Sequence, residues 1–378
     1  MKYMGSKRAM FTNGLGKLIE HEIADSRRFV DLFTGSAVVA SHVAQKFDVP
    51  VWASDLQRYS VILANAIIER RHKLNWKSIW TDWHYRARAY VAEVQRVPRL
   101  TRRFSKRTVL KYREWCSGQA DLKITTAYGG HYFSPRQAVW IDALRTTLPV
   151  NRAARNVALA ALIQSASQCA AAPGHTAQPF QPTKTAKKFL KEAWSRSVVK
   201  HTRRAFIQLS SKSARRKGSA IRMDANLLAK RLNKNDLVFI DPPYSGVHYS
   251  RFYHVLESIA RGSSGTVSGI GRYPKGNQRP RSRYSVQSES GAALDSLLKT
   301  IAGRGSKIIL TFPNHKCSNG LSGGRVQKIA ARHFNVKRKT VGSRFSTLGG
   351  TSDNRGNEAG RAARRYAREL VLTLTPLT

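Results

Sequence analysis

The sequence predicts an α/β fold with a mostly parallel sheet, helices on both faces, and a long, mainly helical insertion. Short β-branched and aromatic runs alternate with helical patterns near both ends of the chain, as in βαβ units. A glycine turn follows one of these runs and a double proline follows another, and both are strong strand terminators. The intervening residues 76–218 have helical patterns and many basic side chains. We therefore predict a catalytic core of residues 1–75 and 219–378 and an inserted domain of residues 76–218.

Composition indicates a globular protein that binds a polyanion. The 378 residues are 41% hydrophobic, which is enough for a substantial core. The 66 Lys and Arg residues against 22 Asp and Glu residues give a formal net charge of +44, which a nucleic acid most often matches. A membrane surface is the weaker alternative, because no stretch approaches the roughly 18 apolar residues of a spanning helix and no signal peptide is recognisable.

The cysteines predict neither a metal site nor a disulfide framework. Cys116, Cys169 and Cys317 lie far apart and lack metal-ligand spacing. This pattern fits a reducing compartment, so we expect a cytoplasmic, nucleoid-associated protein without a metal.

The first part of the core predicts a nucleotide-binding βαβ unit. Residues 2–7 form a Gly-Ser loop that carries Lys7, a weak signal for anion binding when taken alone. A strand at Phe29–Phe33 leads into a tight turn at Gly35 and a small-residue helix over residues 38–44. Such a turn lets the backbone approach a ligand, and the helix N-terminus offers unpaired N–H groups. Because no Gly-Lys-Ser or Gly-Lys-Thr follows, nucleoside triphosphate hydrolysis is disfavoured.

Acidic residues at the ends of predicted strands indicate a nucleoside-containing cofactor. Asp31 ends the first strand, and Asp55 ends the second some twenty residues after the glycine turn, where such folds bind a ribose diol. Asp55 is alternatively the N-cap of the next helix. Asp224 follows a short strand at Ser219–Met223, where it either caps a helix or accepts a hydrogen bond from an adenine amine.

The insertion combines basic and aromatic residues, as a surface that tracks phosphates and stacks bases would require. The alternative is a solvated helical face with aromatic residues in a core, and for any single residue we favour that alternative. For the segment as a whole we favour nucleic-acid binding. A Gly- and Ser-rich basic segment at residues 262–288 is predicted to be a mobile loop that closes on the nucleic acid. The residues predicted to contact nucleic acid are Arg102, Arg103, Lys106, Arg107, Lys111, Arg203, Arg204, Arg215 and Arg216.

The tetrapeptide Asp241-Pro242-Pro243-Tyr244 is the strongest candidate for chemistry. It follows the apolar strand Leu237–Ile240, and ligands of open α/β sheets bind at the carboxyl ends of strands. The prolines stiffen the turn and remove its N–H donors, so its carbonyls and the carboxylate form an acceptor-rich site. Such a site beside an aromatic ring suits a planar base with an amino group. Alone, the tetrapeptide is equally consistent with an ordinary turn.

These motifs, in this order, resemble the adenine-N6 DNA methyltransferases of the Dam-like group. The resemblance covers both ends of the chain and implies that the basic insertion is the target-recognition domain, that the fold is a Rossmann-like methyltransferase core, and that the tetrapeptide is catalytic. Ala37 stands where this family usually has a third small glycine, which we expect to be a mild departure. The residues implied to bind the cofactor S-adenosylmethionine are Tyr3, Lys7, Asp31, Phe33, Gly35, Ser36, Asp55, Leu56 and Asp224.

The chemistry of the tetrapeptide agrees with this resemblance. An adenine N6 amine is a poor nucleophile because its lone pair is delocalised into the ring. Asp241 and the Pro242 carbonyl can accept both N6 hydrogens and stabilise positive charge that develops on the nitrogen, while Tyr244 stacks on a base flipped out of the duplex. We therefore predict methyl transfer to adenine N6 in a specific duplex DNA sequence, with a cognate restriction endonuclease as a candidate partner and the oligomeric state open.

Three other functions remain consistent with the sequence. A cytosine-N4 DNA methyltransferase uses the same geometry, although Ser is the commoner first residue of its tetrapeptide. An RNA base methyltransferase would also be basic. A catalytically inactive DNA-binding protein with a methyltransferase-like core belongs to a different class, and cofactor binding distinguishes it.

Overall fold

A seven-stranded, mostly parallel sheet forms the centre of the molecule. The computed structural model describes residues 7–101, 104–344 and 366–377. In the order β3-β2-β1-β4-β7-β9-β8, strand β9 runs antiparallel to both of its neighbours, and the other pairs are parallel. The strands of this sheet are β1 (Arg28–Asp31), β2 (Val51–Asp55), β3 (Ser219–Arg222), β4 (Asp236–Ile240), β7 (Lys307–Pro313), β8 (Phe334–Arg344) and β9 (Tyr366–Pro376). The predicted α/β class and mostly parallel sheet are confirmed.

Helices of the core segments cover both faces of the sheet. Along each central strand, successive side chains enter different hydrophobic clusters, because side chains alternate between the faces of a strand. Phe29 and Phe239 pack in one cluster, and their neighbours Val30 and Val238 pack in the other. The helices of the core segments are α1 (Arg8–Met10), α2 (Gly16–Ile23), α3 (Val38–Lys46), α4 (Arg58–Ile68), α12 (Ala225–Ala229), α13 (Tyr249–Phe252), α14 (His254–Arg261), α15 (Ser290–Gly303) and α16 (Gly323–Ala330).

The described secondary structure between α4 and β3 is helical, apart from an isolated β-bridge between Gly129 and Phe133. Several of its helices begin at capping side chains, such as Ser105, Ser134 and Asn151, each of which accepts a hydrogen bond from a backbone N–H of the first turn. Its helices are α5 (Trp76–Glu93), α6 (Lys106–Ser117), α7 (Lys123–Tyr128), α8 (Pro135–Thr146), α9 (Arg152–Cys169), α10 (Lys187–Ser195) and α11 (Val198–Ser210).

These inserted helices share a core with one face of the sheet. Helices α9 and α14 pack together against α4, and the buried side chains of α5, α8 and α9 belong to the same cluster as Phe29 and Phe239. A smaller cluster around Trp194 lies within the insertion. The proposed domain boundaries at residues 75/76 and 218/219 therefore separate segments of the chain that are packed on each other.

Residues 262–288 contain ordered secondary structure. Strands β5 (Val267–Ser268) and β6 (Tyr273–Pro274) pair antiparallel, and two short 3₁₀ helices follow at Gly276–Gln278 and Arg283–Ser285. The Arg272 guanidinium donates to the carbonyl of Ala127 at 2.8 Å, which attaches this hairpin to the insertion. The segment thus contains a short hairpin and two 3₁₀ turns, and its mobility and closure on the nucleic acid stay predictions.

Across the described ranges, no helix has the length and apolar character required to cross a membrane.

Candidate active site

The predicted functional residues meet in one cleft at the carboxyl edge of the sheet. Strand β1 pairs in parallel with both β2 and β4, so the carboxyl ends of these strands are adjacent. The cleft opens to solvent, and the free space in it and at its mouth together amounts to about 990 Å³. Tyr3 lies outside the described residues. The predicted residues that line the cleft are Lys7, Asp31, Phe33, Gly35, Ser36, Asp55, Leu56, Asp224, Asp241, Pro242, Pro243 and Tyr244.

The glycine turn after β1 is held against the end of β2. The Gly35 N–H donates to Asp55 Oδ2 at 2.9 Å, and Gly35 has a φ of 47°, a conformation that glycine adopts without steric cost. Ala37, the N-cap of α3, has a φ of 58°. An alanine in this left-handed region costs roughly 1 kcal/mol relative to relaxed backbone. The departure at Ala37, expected from the sequence to be mild, therefore has a conformational cost that glycine would not have.

Two buried carboxyl groups give the cofactor side of the cleft its electrostatic character. Burial raises the pKa of Asp31 to about 7. The charge of Asp241 adds to this increase, whereas a backbone hydrogen bond from Phe33 partly opposes it. Burial likewise raises the pKa of Asp55 to about 6, although its carboxylate accepts backbone hydrogen bonds from Gly35 and Gln57. A positively charged ligand would stabilise the ionised form of both groups.

Asp224 and two aromatic rings form the opposite wall. The Asp224 carboxylate accepts a hydrogen bond from the Asn226 N–H at 2.9 Å and so caps α12, while Asp224 also lines the cleft. The rings of Phe33 and Tyr284 meet edge to face with centroids 5.0 Å apart. The Tyr284 hydroxyl donates to Asn226 Oδ1 at 2.7 Å, which fixes this ring beside the cap. A wall of two fixed aromatic rings and a carboxylate suits a flat ring with an amino group.

The tetrapeptide begins directly after β4, and its carboxylate is held by two neighbours. The Thr311 hydroxyl donates to Asp241 Oδ1 at 2.8 Å, and Lys7 Nζ lies 2.9 Å from the same oxygen. The Asp241 side chain is 21% exposed, towards the cleft. Burial raises the pKa of Asp241, Lys7 opposes that increase, and the charge of Glu369 adds to it. Both of these contacts are to Oδ1, and no residue in the described part of the chain donates to Oδ2, so that oxygen is available to a ligand.

Lys7 joins Asp241 to a second buried carboxylate. Its Nζ donates to Glu369 Oε2 at 2.6 Å, and the side chains of Lys7 and Glu369 are each only 4% exposed. Burial lowers the pKa of Lys7, but the two carboxylates together raise it well above its ordinary value. The three ionised groups carry a net charge of −1, so Glu369 balances Lys7 and leaves the charge of Asp241 uncompensated.

The carbonyls of the two prolines differ in their partners. Asn319 Nδ2, from a loop distant in sequence, donates to the Pro243 carbonyl at 2.9 Å, so this acceptor is occupied although the turn itself supplies no N–H donor. Among the described residues, none donates to the Pro242 carbonyl. Tyr244 meets Tyr249 edge to face with ring centroids 6.3 Å apart, and burial raises the pKa of Tyr244 to about 12, so its hydroxyl stays protonated.

The basic residues predicted to contact nucleic acid do not converge on the cleft. Arg215 and Arg216 lie at the amino edge of the sheet, because they precede β3, and Arg216 pairs with Asp48 at 2.9 Å. Arg102 and Arg103 lie outside the described residues. The remaining predicted residues are exposed on α6 and α11, namely Lys106, Arg107, Lys111, Arg203 and Arg204. Their contact with DNA stays a prediction.

Most aromatic residues of the insertion belong to its core. Trp83 is fully buried, and its indole N–H donates to the Leu144 carbonyl at 3.0 Å. Phe104 and Tyr112 pack against Trp194. The interpretation of these rings as a base-stacking surface is therefore wrong for the buried ones, and an exposed ring such as Tyr85 is the exception.

Several site residues carried no sequence signal. Those that line the cleft include Gln57, Met223, His248, Ser250, Pro280, Ser282 and Tyr284. Thr311, Asn319 and Glu369 hold the tetrapeptide or its lysine partner. Asn319 lies in a loop with no motif, and Thr311 and Glu369 lie in strands whose relative register decides which side chains meet.

Comparison with known proteins places these observations in a family. The model of the D12 class N6 adenine-specific DNA methyltransferases matches residues 3–289. The modification methylase StsI of Streptococcus sanguinis is 24% identical over 83% of this chain and 44% of its own length. The type II methyltransferase M.NlaIII of Neisseria lactamica is 25% identical over 88% of each chain. The chain thus spans less than half of StsI and most of M.NlaIII.

Proposed function

The chain belongs to the D12 class N6 adenine-specific DNA methyltransferase family, and we propose that it transfers a methyl group to adenine N6 in duplex DNA. This proposal depends on one observation. Asp241 and Pro242 follow the carboxyl end of β4 and line the same cleft as the acids of β1 and β2. Each group alone is common, but their convergence provides acceptors for an amine next to a site for a cationic ligand.

The donor set of the cleft fits S-adenosylmethionine. Asp31 is 1% exposed, and its carboxylate would favour the positive charges of that molecule, while Asp55 and Asp224 would accept hydrogen bonds from the ribose and the adenine amine. Phe33 and Tyr284 would contact the purine ring. When bound, S-adenosylmethionine supplies a methyl group on a positively charged sulfur.

The tetrapeptide would activate the amine of the target base. Asp241 Oδ2 and the Pro242 carbonyl would each accept a hydrogen bond from one N6–H, which draws the nitrogen towards tetrahedral geometry. The uncompensated charge of Asp241 would stabilise the positive charge that develops on the nitrogen. Because Thr311 and Lys7 fix Oδ1 before the base arrives, little reorganisation accompanies the reaction.

The adenine must leave the duplex to reach these acceptors. Flipping a base out costs a few kcal/mol, which stacking on Tyr244 and contacts to the phosphates would offset. The net charge of +44 would provide the attraction to DNA. We further propose that the protein acts on the nucleoid in the cytoplasm and, as the names of its relatives suggest, that it modifies the sites of a restriction endonuclease.

Removing the carboxylate of Asp241 tests this proposal. We expect Asp241→Ala to lower methyl transfer from a labelled donor into duplex DNA by at least about 10²-fold, the cost of losing one preorganised electrostatic contact. Calorimetric binding of S-adenosylmethionine and binding of DNA should be retained. Glu20→Ala, which removes an exposed carboxylate, is the matched control. Full turnover in Asp241→Ala, or transfer to RNA in preference to duplex DNA, would contradict the proposal.

A further inference from the structure

We propose that Arg251, Arg279 and Arg281, at the mouth of the cleft, form a phosphate clamp for the DNA strand that carries the target base. This inference rests on the proposed function for the identity of that strand. The three arginines follow the catalytic tetrapeptide and lie outside the insertion; Arg279 and Arg281 belong to the 262–288 segment predicted to close on the nucleic acid, and Arg251 belongs to neither segment.

Their positions tie them to the cleft. Arg251 directly follows the lining residue Ser250, and Arg279 and Arg281 directly precede the lining residues Pro280 and Ser282. The Ser282 N–H donates to His248 Nδ1 at 3.3 Å, which joins the two segments across the mouth. A strand whose base enters the cleft at this point would bring its phosphates close to these arginines.

A single tyrosine ring organises two of the guanidinium groups. The guanidinium carbon of Arg251 lies 4.6 Å from the centroid of Tyr273, and that of Arg279 lies 5.8 Å from it. Arg279 also donates from Nε to the Pro274 carbonyl at 3.1 Å. Stacking on a ring orients a guanidinium while leaving N–H groups at its edge for a phosphate.

The hairpin holds this ring in place against the insertion. The Tyr273 hydroxyl donates to the Ala177 carbonyl, and the Tyr132 hydroxyl donates to the Gly271 carbonyl at 2.9 Å. The arginines are therefore presented by a fixed support, which limits the entropy lost when a phosphate binds.

The clamp has positive charge without a matching carboxylate. Other arginines of this protein do have one, as in the pairs of Arg28 with Asp236 and Arg216 with Asp48. Within residues 7–101, 104–344 and 366–377, no carboxylate forms a salt bridge with any of the three clamp arginines. Burial and the charge of Arg251 both lower the pKa of Arg279, as expected for like charges held together. A phosphodiester would remove this repulsion, and the geometry of a planar guanidinium matches it.

The test replaces two exposed members of the clamp. Arg251→Gln/Arg281→Gln removes two exposed charges, and Arg231→Gln/Arg304→Gln removes two exposed arginines near the amino edge by the same substitution, as the matched control. Affinity for a labelled random-sequence DNA duplex is measured at several salt concentrations, together with S-adenosylmethionine binding and thermal melting. We expect the slope of log affinity against log salt to become shallower by about 1.8, at about 0.9 per phosphate, in the clamp variant only.

The outcomes separate the clamp from the proposed function. An unchanged slope in the clamp variant overturns the clamp, and so does the same change of slope in the control variant. A clamp variant that loses affinity for RNA but keeps its affinity for duplex DNA also overturns it. If the slope becomes shallower as expected but the wild-type chain methylates no DNA, phosphate binding by the arginines stands, whereas the proposed function and the assignment of the bound strand fail. If the chain methylates adenine and the salt slope of the clamp variant is unaffected, the proposed function stands and the clamp is overturned. The single variant Arg251→Lys, which keeps the charge, should keep the slope.

Discussion

Asp241 owes its proposed role to the charges around it as much as to its position after β4. Lys7 fixes the carboxylate but would also cancel its charge, since the two groups are 2.9 Å apart. Glu369 contacts the same ammonium at 2.6 Å and restores the negative balance. We infer that Glu369 positions Lys7 and preserves the electrostatic effect of Asp241 on the target amine.

Glu369→Gln tests this balance because the amide keeps the shape and loses the charge. Without the Glu369 charge, the ammonium of Lys7 would neutralise Asp241, which would then stabilise the developing positive charge less. We expect the maximal methylation rate to fall on the order of tenfold. Glu369 raises the pKa of Asp241, so its removal should lower that pKa. The acidic limb of the pH–rate profile should therefore move to lower pH.

The control for this variant is Asp142→Asn, which removes a buried charge on α8, away from the cleft. A purely structural role for Glu369 would lower the melting temperature of Glu369→Gln without moving the pH–rate profile, and that result would refute the charge balance.

Asp31 predicts a pH dependence of cofactor affinity. With a pKa of about 7, this group is largely protonated below pH 7 and ionised above it. A cationic ligand binds the ionised form more tightly, so affinity for S-adenosylmethionine should rise with pH up to about 7 and then level off. Calorimetry between pH 5.5 and 8.5 measures this, with Asp31→Asn expected to weaken the rise. S-adenosylhomocysteine, which lacks the sulfonium charge, should respond less, and a flat response for S-adenosylmethionine would rule out this role of Asp31.

At the level of elements, an acid on one helix caps another. The N-cap residue of α7, Leu122, has no side-chain acceptor. Asp142 on α8 supplies one, since its carboxylate accepts from the backbone N–H groups of Ile124 and Thr125 at 2.9 and 2.8 Å and from the Thr125 hydroxyl at 2.7 Å. This contact replaces a local cap with a tertiary one and fixes the angle between the two helices.

Asp142→Ala should therefore destabilise the protein. Its loss leaves buried donors unpaired, and we expect the free energy of unfolding to fall by about 2–3 kcal/mol. Urea titration followed by circular dichroism measures the change, and Asp82→Ala, at an exposed site on α5, should change stability much less. Equal effects of the two substitutions would show that the cap contributes no more than a surface ion pair.

The sequence predicted the elements that carry the site because short apolar runs ended at clear terminators. The strand at residues 237–240 ends at Ile240, just before Asp241 and the double proline, in both prediction and structure. The first strand ends at Asp31, the acid expected at its end, although the predicted run continued to Phe33. Strand β8 was missed because Lys337, Arg338 and Lys339 interrupt any apolar alternation. Lysine-rich edges are common in sheets because they discourage pairing with other chains.

The partners of the tetrapeptide could not be predicted, since they depend on sheet register. Lys7 and Glu369 are 362 residues apart, and they meet only because β9 inserts between β7 and β8 and pairs Glu369 with Pro313. The burial of Trp83 likewise follows from tertiary packing, which a local pattern of basic and aromatic residues does not specify.

For the whole molecule, the strong positive charge and the acidic cleft have separate roles. The net charge of +44 would attract DNA over the surface, whereas the carboxyl groups of Asp31, Asp55, Asp224 and Asp241 would bind a cationic cofactor and a base amine inside the cleft. The clamp arginines lie where the two regions meet. A DNA strand held there would have its target base next to the acceptors.

Analysis of nucleosides from host DNA tests the central claim most directly. The chain and its Asp241→Ala variant are expressed in a methylation-deficient bacterial host, and the digested DNA is measured by mass spectrometry. We predict that N6-methyladenine appears with the wild-type chain and stays at background with Asp241→Ala. N4-methylcytosine in its place, or no methylated base from a folded chain that binds S-adenosylmethionine, would contradict adenine-N6 methylation.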